Sequence, residues 1–349
     1  MVAIEMTTGR LIRWFVEELR EHKAPPFPVD DSALWVSWFA TAELGCHLVL
    51  SWAFPQRILD LYVEFSNLRN GKVRHSKPKL LEAMQHFGLD SMLAQEKKAM
   101  RELAQRGGPY TDSERRDLLD YCEQDVRCLV QLLPLIMKNI KGNDFGRALL
   151  RGQSLCDVAR IEAVGVPMNV HSRNEECSRW GTIRQSLIET VDTNYGVYDG
   201  TTFNLAKFDY WLKSRGINWP RTPTGKPSTS DETFRDLEHV YPEIRELRSL
   251  RAGLSQLRTN GVTIGRDGRN RVLISPFGSK TSRNQPSTSK NIFGNPAWLR
   301  SYIQPPPDFA VAYVDYTQQE YGVAAALSQD QKMQSAYRSG DVYLEFAKH

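Results

Sequence analysis

Two carboxylates, Asp315 and Glu320, stand late in the chain at the boundary between two sequence patterns. Before them runs an apolar, β-branched segment that begins at Ala310, and after them comes a small-residue helical pattern that ends at Leu327. The first pattern predicts a buried strand that ends at Asp315. A carboxylate that loses its water there costs several kcal/mol unless it gains an ion pair, a hydrogen-bond network or a metal ion. The residue types therefore indicate a site with chemistry of its own.

A second pair of titratable side chains, Tyr121 and Asp125, lies in a segment with strong helical periodicity. The pattern predicts one long helix from Ser113 to Ile140, with Ser113 as its cap. Residues four apart share a helix face, so Tyr121 and Asp125 can reach a common site. The alternative is a core aromatic residue beside a surface charge.

Positive charge is concentrated in one part of the chain. Residues 251–300 carry nine basic side chains and one acidic side chain, whereas the net charge of the whole chain is only +4. Serine, threonine, asparagine, glutamine and glycine are interleaved with these basic residues, which suits contact with phosphates. This composition favours nucleic-acid binding over a basic face that is only solvated.

Residues 315–322 read Asp-Tyr-Thr-Gln-Gln-Glu-Tyr-Gly and resemble motif A of family A (DNA polymerase I-like) DNA polymerases, commonly DYSQIELR. The resemblance implies that Asp315 binds catalytic Mg²⁺ ions. It also implies that Glu320 packs under the incoming sugar and helps to reject ribonucleotides. Thr317 replaces a serine of the motif, and Gly322 replaces its arginine, so no role of that arginine is carried over.

The first third of the chain resembles the DEDD-type 3′–5′ exonuclease domain. Tyr121 and Asp125 fit its YxxxD pattern, which implies that Asp125 binds metal and that Tyr121 orients the attacking water. The segment TAELGCHLVLSW, followed by RILDL, is similar to the middle motif of that family. This similarity places Glu43 at a metal-binding position and Asp60 at a later structural position. The alternative for Glu43 is an acid on a helix surface.

The first exonuclease motif, D-x-E, precedes a segment like VAIEMTTGRLIRW in that family, and here the chain begins at Met1, directly before that segment. Two-metal hydrolysis needs several carboxylates. We therefore expect little or no exonuclease activity. We also expect a first domain that lacks one strand and leaves a sheet edge unpaired, consistent with a truncated reading frame or an internal start.

Further segments follow in the order of the polymerase family. CDVARIEAVGVPMNV resembles the entry to the polymerase half, and RTPTGKPSTSDETFRDL resembles the thumb. TSRNQPS resembles the segment TGRLSSxxPNLQNIP, with Ser282 in place of glycine, and WLRSYIQPPP resembles the lead-in to motif A. The similarity of TSRNQPS implies that Arg283 contacts the minor-groove edge of the primer terminus, where every base pair presents acceptors.

Five side chains are therefore predicted to bind primer–template DNA: Arg283, Gln285, Lys280, Arg251 and Arg258. Of these five, Arg251 in the predicted helix Tyr241–Leu257 has an alternative. Arginines of that helix can instead pair with acids one turn away, which contributes only tenths of a kcal/mol.

The predicted fold class is α/β (α+β), and the length allows two or three domains. We expect a ribonuclease H-like, exonuclease-like domain without its first strand at 1–145. A palm entry and helical thumb follow at 150–260, and the start of a polymerase palm with motif A at 261–349.

Several classes of protein are excluded by composition. No apolar run approaches the roughly 20 residues of a membrane span, and the start lacks a basic segment followed by an apolar one. The five cysteines are scattered without a CxxC pair, which indicates reduced thiols. The expected location is the cytoplasm, in a bacterial nucleoid or a virus-infected cell, with no membrane partner.

Three functions stay open. The family's nucleotide-binding helix (KxxxxxxYG) and second metal-binding acid do not occur in the sequence, so its two-metal Mg²⁺ site is only partly present. The first function is a DNA-directed DNA polymerase, as an incomplete chain that adds dNTPs to a primer 3′ end in replication or repair. The second is a non-catalytic, primer–template-binding half of a split polymerase, with a C-terminal polymerase fragment as partner. The third is a 3′–5′ exonuclease.

Overall fold

A computed structural model of the chain describes residues 1–72, 78–89, 94–142, 144–256, 262–286 and 290–348, with only the backbone described for 94–97. The chain divides into two compact units, Met1–Ile303 and Gln304–His349. Helices predominate and the strands occur in pairs, so the predicted mixed α/β class is confirmed. The three predicted domains at 1–145, 150–260 and 261–349 remain a prediction.

The first unit contains most of the secondary structure. Its helices are α1 (Val16–Glu21), α2 (Thr41–Leu50), α3 (Leu61–Arg69), α4 (Leu80–His86), α5 (Ala94–Arg106), α6 (Asp112–Met137), α7 (Asp144–Val164), α8 (Val170–Asp192), α9 (Leu205–Ser214), α10 (Asp231–Leu237) and α11 (Arg245–Gln256). Its strands are β1 (Val2–Ile4), β2 (Leu11–Arg13), β3 (Trp35–Ser37), β4 (Ile58–Asp60), β5 (Val166–Pro167), β6 (Tyr198–Asp199), β7 (Thr202–Phe203), β8 (Arg269–Asn270), β9 (Ile274–Ser275) and β10 (Gln285–Pro286).

A parallel strand pair lies at the centre of the N-terminal part. β3 and β4 are joined through α2 and pair in parallel, with Trp35 opposite Ile58. β4 is completely buried, and α7 packs directly on it because Gly152 has no Cβ. A Cβ at Gly152 would lie far inside van der Waals contact of the Ile58 carbonyl oxygen. The antiparallel pair β1–β2 forms a hairpin at the N-terminus.

The long helix α6 begins earlier than predicted. Its N-cap is Thr111, whose Oγ1 accepts a hydrogen bond from the Glu114 backbone nitrogen at 3.2 Å. The Glu114 carboxylate in turn accepts one from the Thr111 nitrogen at 2.8 Å, which completes a capping box. The prediction of Ser113 as cap is therefore wrong, because Thr111 and Glu114 have the reciprocal three-residue spacing and Ser113 lies within the first turn.

A buried ion pair joins α3 to α7. Arg151 donates from Nε and Nη2 to the two carboxylate oxygens of Glu64, at 2.8 and 2.7 Å. The Glu64 side chain is only 4% exposed. Because a buried carboxylate without a partner is costly, this two-point contact specifies how the helices pack.

A separate hydrophobic core lies beneath α9, α10 and α11. Its aromatic centre contains Phe208, Trp219 and Phe234, with the Trp219 and Phe234 ring centroids 4.9 Å apart. Helices α9 and α10 begin at side-chain caps, and at the start of α10 the Ser230 side chain accepts from the Thr233 nitrogen. This core is the rigid support of the helical part of the unit.

A tight turn lies at Gly265–Gly268, where the Gly268 nitrogen donates to the Gly265 carbonyl at 3.0 Å. Beyond this turn, β8 pairs with β5, which lies about a hundred residues earlier in the chain. β9 pairs with β10, which follows it directly in the order of strands.

The second unit contains the helices α12 (Gln319–Ser328), α13 (Gln331–Arg338) and α14 (Val342–Ala347). The buried strand predicted before Asp315 is wrong. Residues 309–316 have no regular secondary structure, and Tyr313 and Val314 are 89% and 84% exposed. A strand is stabilised by a neighbouring strand, and none of the residues that the structure describes pairs with this one. None of the described helices combines the length and apolar character of a membrane-crossing segment.

Candidate functional site

The two carboxylates of the motif A-like segment lie on either side of the start of α12. Asp315 is exposed in the irregular segment, and Glu320 is exposed in the first turn of the helix. Between them Gln318 adopts a left-handed conformation with φ of 50°, which turns the chain into the helix. The positive end of the helix dipole favours the negative charge of Glu320 at this position.

Tyr337 of α13 holds this turn in place. Its hydroxyl donates to the Thr317 carbonyl oxygen at 3.1 Å, and its ring lies against Gly322. A Cβ at Gly322 would lie 2.7 Å from Tyr337 Cζ. Because Gly322 has no side chain where the motif has arginine, Tyr337 packs against it. This contact connects α13 to the turn after Asp315. Sequence reasoning missed Tyr337, and the absent arginine at Gly322 was the one available signal.

The described residues do not form a complete magnesium site. The Asp315 carboxylate is the kind of oxygen ligand that Mg²⁺ prefers. Across the described ranges, however, no group of three or more His, Cys, Asp or Glu side chains is placed to hold a metal ion. The metal-binding role of Asp315 therefore stays a prediction, and so do the metal-binding roles of Asp125 and Glu43.

Arg283 lies at the end of a tight turn that begins at Ser279. The Ser279 nitrogen donates to the Arg283 carbonyl oxygen at 3.2 Å, and the Arg283 nitrogen donates to Ser279 Oγ at 2.8 Å. Ser282, which stands in place of the family's glycine, has a left-handed φ of 58°. The exposed Gln285 follows on β10, opposite Ser275 of β9. The turn therefore fixes the backbone from which Arg283 and Gln285 project.

The other predicted DNA-binding residues have different surroundings. Lys280 is exposed within the same turn, and its carbonyl oxygen accepts a hydrogen bond from Asn70 Nδ2 at 2.9 Å. Arg258 lies outside the described residues. Arg251 is half-buried on α11, and its guanidinium donates to the Thr229 carbonyl oxygen at 2.9 Å. Lys280, Arg283 and Gln285 thus belong to one short segment, whereas Arg251 belongs to the helical core.

Tyr121 and Asp125 do lie together on α6. Burial, the charge of Asp125 and a hydrogen bond to Asp125 together raise the pKa of Tyr121 to about 12. Burial also raises the pKa of the Cys122 thiol, with the nearby charges of Asp125 and Glu43 adding to this effect. The predicted metal ligands Asp125 and Glu43 therefore face the same neighbourhood beside α6.

Glu43 and Asp60 differ in their environments. Part of the Glu43 side chain on α2 is exposed, but its carboxyl group is crowded by protein atoms, and this burial raises its pKa to about 8. Asp60 is buried and accepts hydrogen bonds from the backbone nitrogens of Ala40 at 2.6 Å and Tyr62 at 2.7 Å. Asp60 is thus the N-cap of α3 and also fixes the start of α2.

Comparison with known proteins connects this arrangement to polymerases. No protein-family model matches the chain. The chain is 25% identical to DNA polymerase I of Aquifex aeolicus (strain VF5) over 246 aligned residues. This alignment covers 64% of this chain and 42% of that protein. Its fold is similar to the POL domain of Pol1 from M. smegmatis, solved in complex with DNA primer-template and dNTP. That similarity has a TM-score of 0.61 at 15% identity and covers 93% of this chain and 54% of the other.

The resemblance that the motifs predicted is therefore confirmed at the level of fold. The chain is similar to DNA polymerase I in sequence and has the fold of a polymerase domain. It spans about two fifths of the length of the curated relative that it matches.

Proposed function

We propose that this chain is part of a family A, DNA polymerase I-like DNA polymerase that holds the primer–template and carries the first acid of the polymerase site. The observation that supports this most strongly is the fold similarity to a polymerase domain over 93% of the chain. In the proposed reaction, the primer 3′-hydroxyl attacks the α-phosphate of a dNTP and pyrophosphate leaves. The domains at 1–145, 150–260 and 261–349 are part of the same proposal.

The proposed roles follow from chemistry and position. Asp315 is an exposed carboxylate that can contribute one ligand to Mg²⁺, which when bound stabilises attacking and leaving oxygens. Glu320 follows Asp315 in the first turn of α12 and is the proposed contact with the incoming sugar. Arg283 is proposed to donate to minor-groove acceptors at the primer terminus, which occur in all four base pairs. An arginine at this position tests the shape of the pair without reading its sequence.

Binding of a primer–template oligonucleotide by the purified chain tests the DNA-binding part of the proposal. Fluorescence anisotropy over a range of salt concentrations should show affinity that falls steeply as salt rises. Arg283→Glu should weaken binding about tenfold and reduce the slope of log K against log salt by about 1. Arg116→Glu is the matched control, because Arg116 is exposed on α6 outside the basic segment. Equal losses in the two variants would count against a specific role for residues 279–285.

One observation favours the split-polymerase alternative. Residues 310–316 expose apolar side chains, including Val311 at 62% and Tyr316 at 74%, and they lack a strand partner among the residues that the structure describes. We propose that another polypeptide segment, a C-terminal polymerase fragment, pairs with this stretch. The chain alone should then bind primer–template without extending it, and it should gain synthesis when that fragment is added. Extension by the purified chain alone would rule this arrangement out.

For the exonuclease-like domain we propose defective catalysis. Two exonuclease metal ligands are predicted, Asp125 and Glu43, and two-metal hydrolysis needs several carboxylates. A labelled single strand incubated with the purified chain and Mg²⁺ or Mn²⁺ should keep its 3′ end. Degradation from the 3′ end that is lost in Asp125→Asn would restore the exonuclease alternative.

A further inference from the structure

A groove with a volume of about 810 Å³ opens beside α11 in the first unit. This volume falls in the range of about 300–1,000 Å³ that is typical of small-molecule sites. It is lined by side chains from α8, β6, β7, α10 and α11 and by the segments that precede β7 and α10. Every lining residue belongs to the first unit, so the groove can be considered independently of Asp315.

The groove has more positive than negative charge. It is lined by three arginines, Arg184, Arg248 and Arg251, and by one acid, Asp231. Asp231 is already paired with Arg248, whose Nε lies 3.2 Å from its Oδ1, and Arg248 also pairs with Glu238 at 2.9 Å. Among the described residues, neither Arg184 nor Arg251 has a carboxylate within ion-pair distance. Two positive charges therefore face the groove without a negative partner.

Arg251 is held in position before any ligand arrives. Its guanidinium lies 4.4 Å from the Phe203 ring centroid and 5.1 Å from that of Phe234, and it donates to the Thr229 carbonyl oxygen. Arg251 is half-buried, so its charge has lost part of its hydration, and this burial lowers its pKa. An anion in the groove would compensate for this loss through a charge-assisted hydrogen bond. Fixing the side chain in advance also lowers the entropic cost of binding.

Arg184 of α8 supplies a second guanidinium to the lining of the groove. Burial raises the pKa of Tyr198 at the groove wall, and the charges of Arg251 and Arg184 act against that rise. Two guanidiniums that line one groove suit a ligand with more than one anionic group.

Neutral donors complete the lining. Hydroxyl and amide groups come from the following residues: Thr201, Thr202, Thr229, Ser255 and Gln256. Four of the five are threonine or serine, whose hydroxyls commonly donate to phosphate oxygens. The lining thus combines fixed cations with short, neutral donors.

We propose that this groove binds a small polyphosphate anion, either inorganic pyrophosphate or the phosphate tail of a nucleotide, through Arg184 and Arg251. The proposal goes beyond the polymerase function, because it assigns a ligand site that needs neither Asp315 nor the segment 279–285. Recognition rests on the phosphate groups, which both sources share.

Isothermal titration calorimetry on the purified chain tests this proposal, with EDTA present so that binding through a divalent metal is removed. Separate titrations use sodium pyrophosphate and dATP. Saturable binding of pyrophosphate and dATP with similar affinity supports recognition of the phosphates alone. Tighter binding of dATP also supports the site and identifies the nucleotide as the source. The absence of binding of either ligand at about 1 mM would overturn the proposal.

Two variants of α8 make the test specific to the groove. Arg184→Glu should weaken binding at least about tenfold, because it replaces a charge-assisted donor with a repelling charge. Arg179→Glu is the matched control, because Arg179 is an exposed arginine of the same helix that does not line the groove. Both positions are exposed, so both variants should fold, which circular dichroism verifies. Equal affinities in the two variants would contradict the proposal. Loss of duplex DNA binding in Arg184→Glu, with no pyrophosphate binding in the unmodified chain, would assign the groove to the DNA backbone instead.

Discussion

Residue type and backbone conformation conflict at Ser282, beside the proposed primer contact. A φ of 58° is in the left-handed region, which costs a residue with a Cβ about 1–2 kcal/mol. Glycine adopts this conformation without that cost but loses about 0.5–1 kcal/mol more entropy on folding. Ser282→Gly should therefore raise the free energy of unfolding by about 0.5 kcal/mol, measured by urea denaturation.

Replacing a serine within a helix by glycine should change the free energy of unfolding in the opposite direction. Ser255→Gly, on α11, should lower the free energy of unfolding by about 0.5 kcal/mol, since glycine is the poorer helix former. If both variants shift the urea midpoint in the same direction, the left-handed conformation at Ser282 is not the cause.

The Glu43 carboxyl gives stability a specific dependence on pH. The pKa of this carboxyl group is raised from 4.5 to about 8 in the folded state. Between these two pH values the folded protein retains a proton that the unfolded chain has lost. Stability should therefore fall as pH rises from about 4.5 to 8. Glu43→Gln should remove this contribution, by about 1 kcal/mol once solvent screening of the partly exposed side chain is included. The measurement is the urea midpoint at pH 5 and at pH 8.5.

An exposed glutamate on another helix provides the comparison for Glu43. Glu21→Gln on α1 should leave the pH dependence unchanged. A Glu43→Gln variant whose midpoint changes with pH as much as that of the unmodified chain would show that Glu43 does not cause the effect.

At the scale of elements, the close approach of α7 to β4 depends on one glycine. A Cβ at Gly152 would overlap the Ile58 carbonyl oxygen, which is backbone and cannot rotate away. Gly152→Ala should therefore lower the free energy of unfolding by about 1–3 kcal/mol or more, measured by urea denaturation. Gly146→Ala in the same helix meets no atom within 4 Å and should instead stabilise by about 0.5–1 kcal/mol. A neutral Gly152→Ala would show that α7 can move off the strand.

The sequence predicted helices better than it predicted which strands pair with each other. Helices α6 and α11 were readable because apolar periodicity is local, and the motif order correctly indicated the polymerase fold. Strand pairs such as β5–β8 were not readable, since they join residues about a hundred positions apart. The strand before Asp315 was predicted from its apolar run alone, and its missing neighbour left it exposed.

The candidate site shows the same division. Asp315, Glu320 and Arg283 were predicted from their motifs, because residue type and spacing carry that signal, and their roles remain predictions. The Glu64–Arg151 pair and the contact of Tyr337 with Thr317 were not found, because each joins side chains from separate helices or turns. The packing of Arg251 against the rings of Phe203 and Phe234 was also not predictable from the sequence. A single arginine on a predicted helix has the same pattern as any surface cation.

At the scale of the whole molecule, we propose that the chain supplies part of a polymerase site. Its fold is similar to a polymerase domain, and residues 251–300 carry nine basic side chains and one acidic side chain. The chain spans about two fifths of the length of its curated relative. Synthesis is therefore best measured on the purified chain together with the C-terminal polymerase fragment of the proposal.

Primer extension by the chain and that fragment together, with Asp315→Asn in the chain, tests this proposal most directly. The rate of extension should fall about a hundredfold or more, with primer–template binding retained. Asp308→Asn is the matched control, since Asp308 is another exposed aspartate of the second unit and asparagine tolerates its φ of 66°. The control should extend primers at the unmodified rate. Undiminished extension by Asp315→Asn would contradict the assignment of Asp315 and the polymerase function built on it.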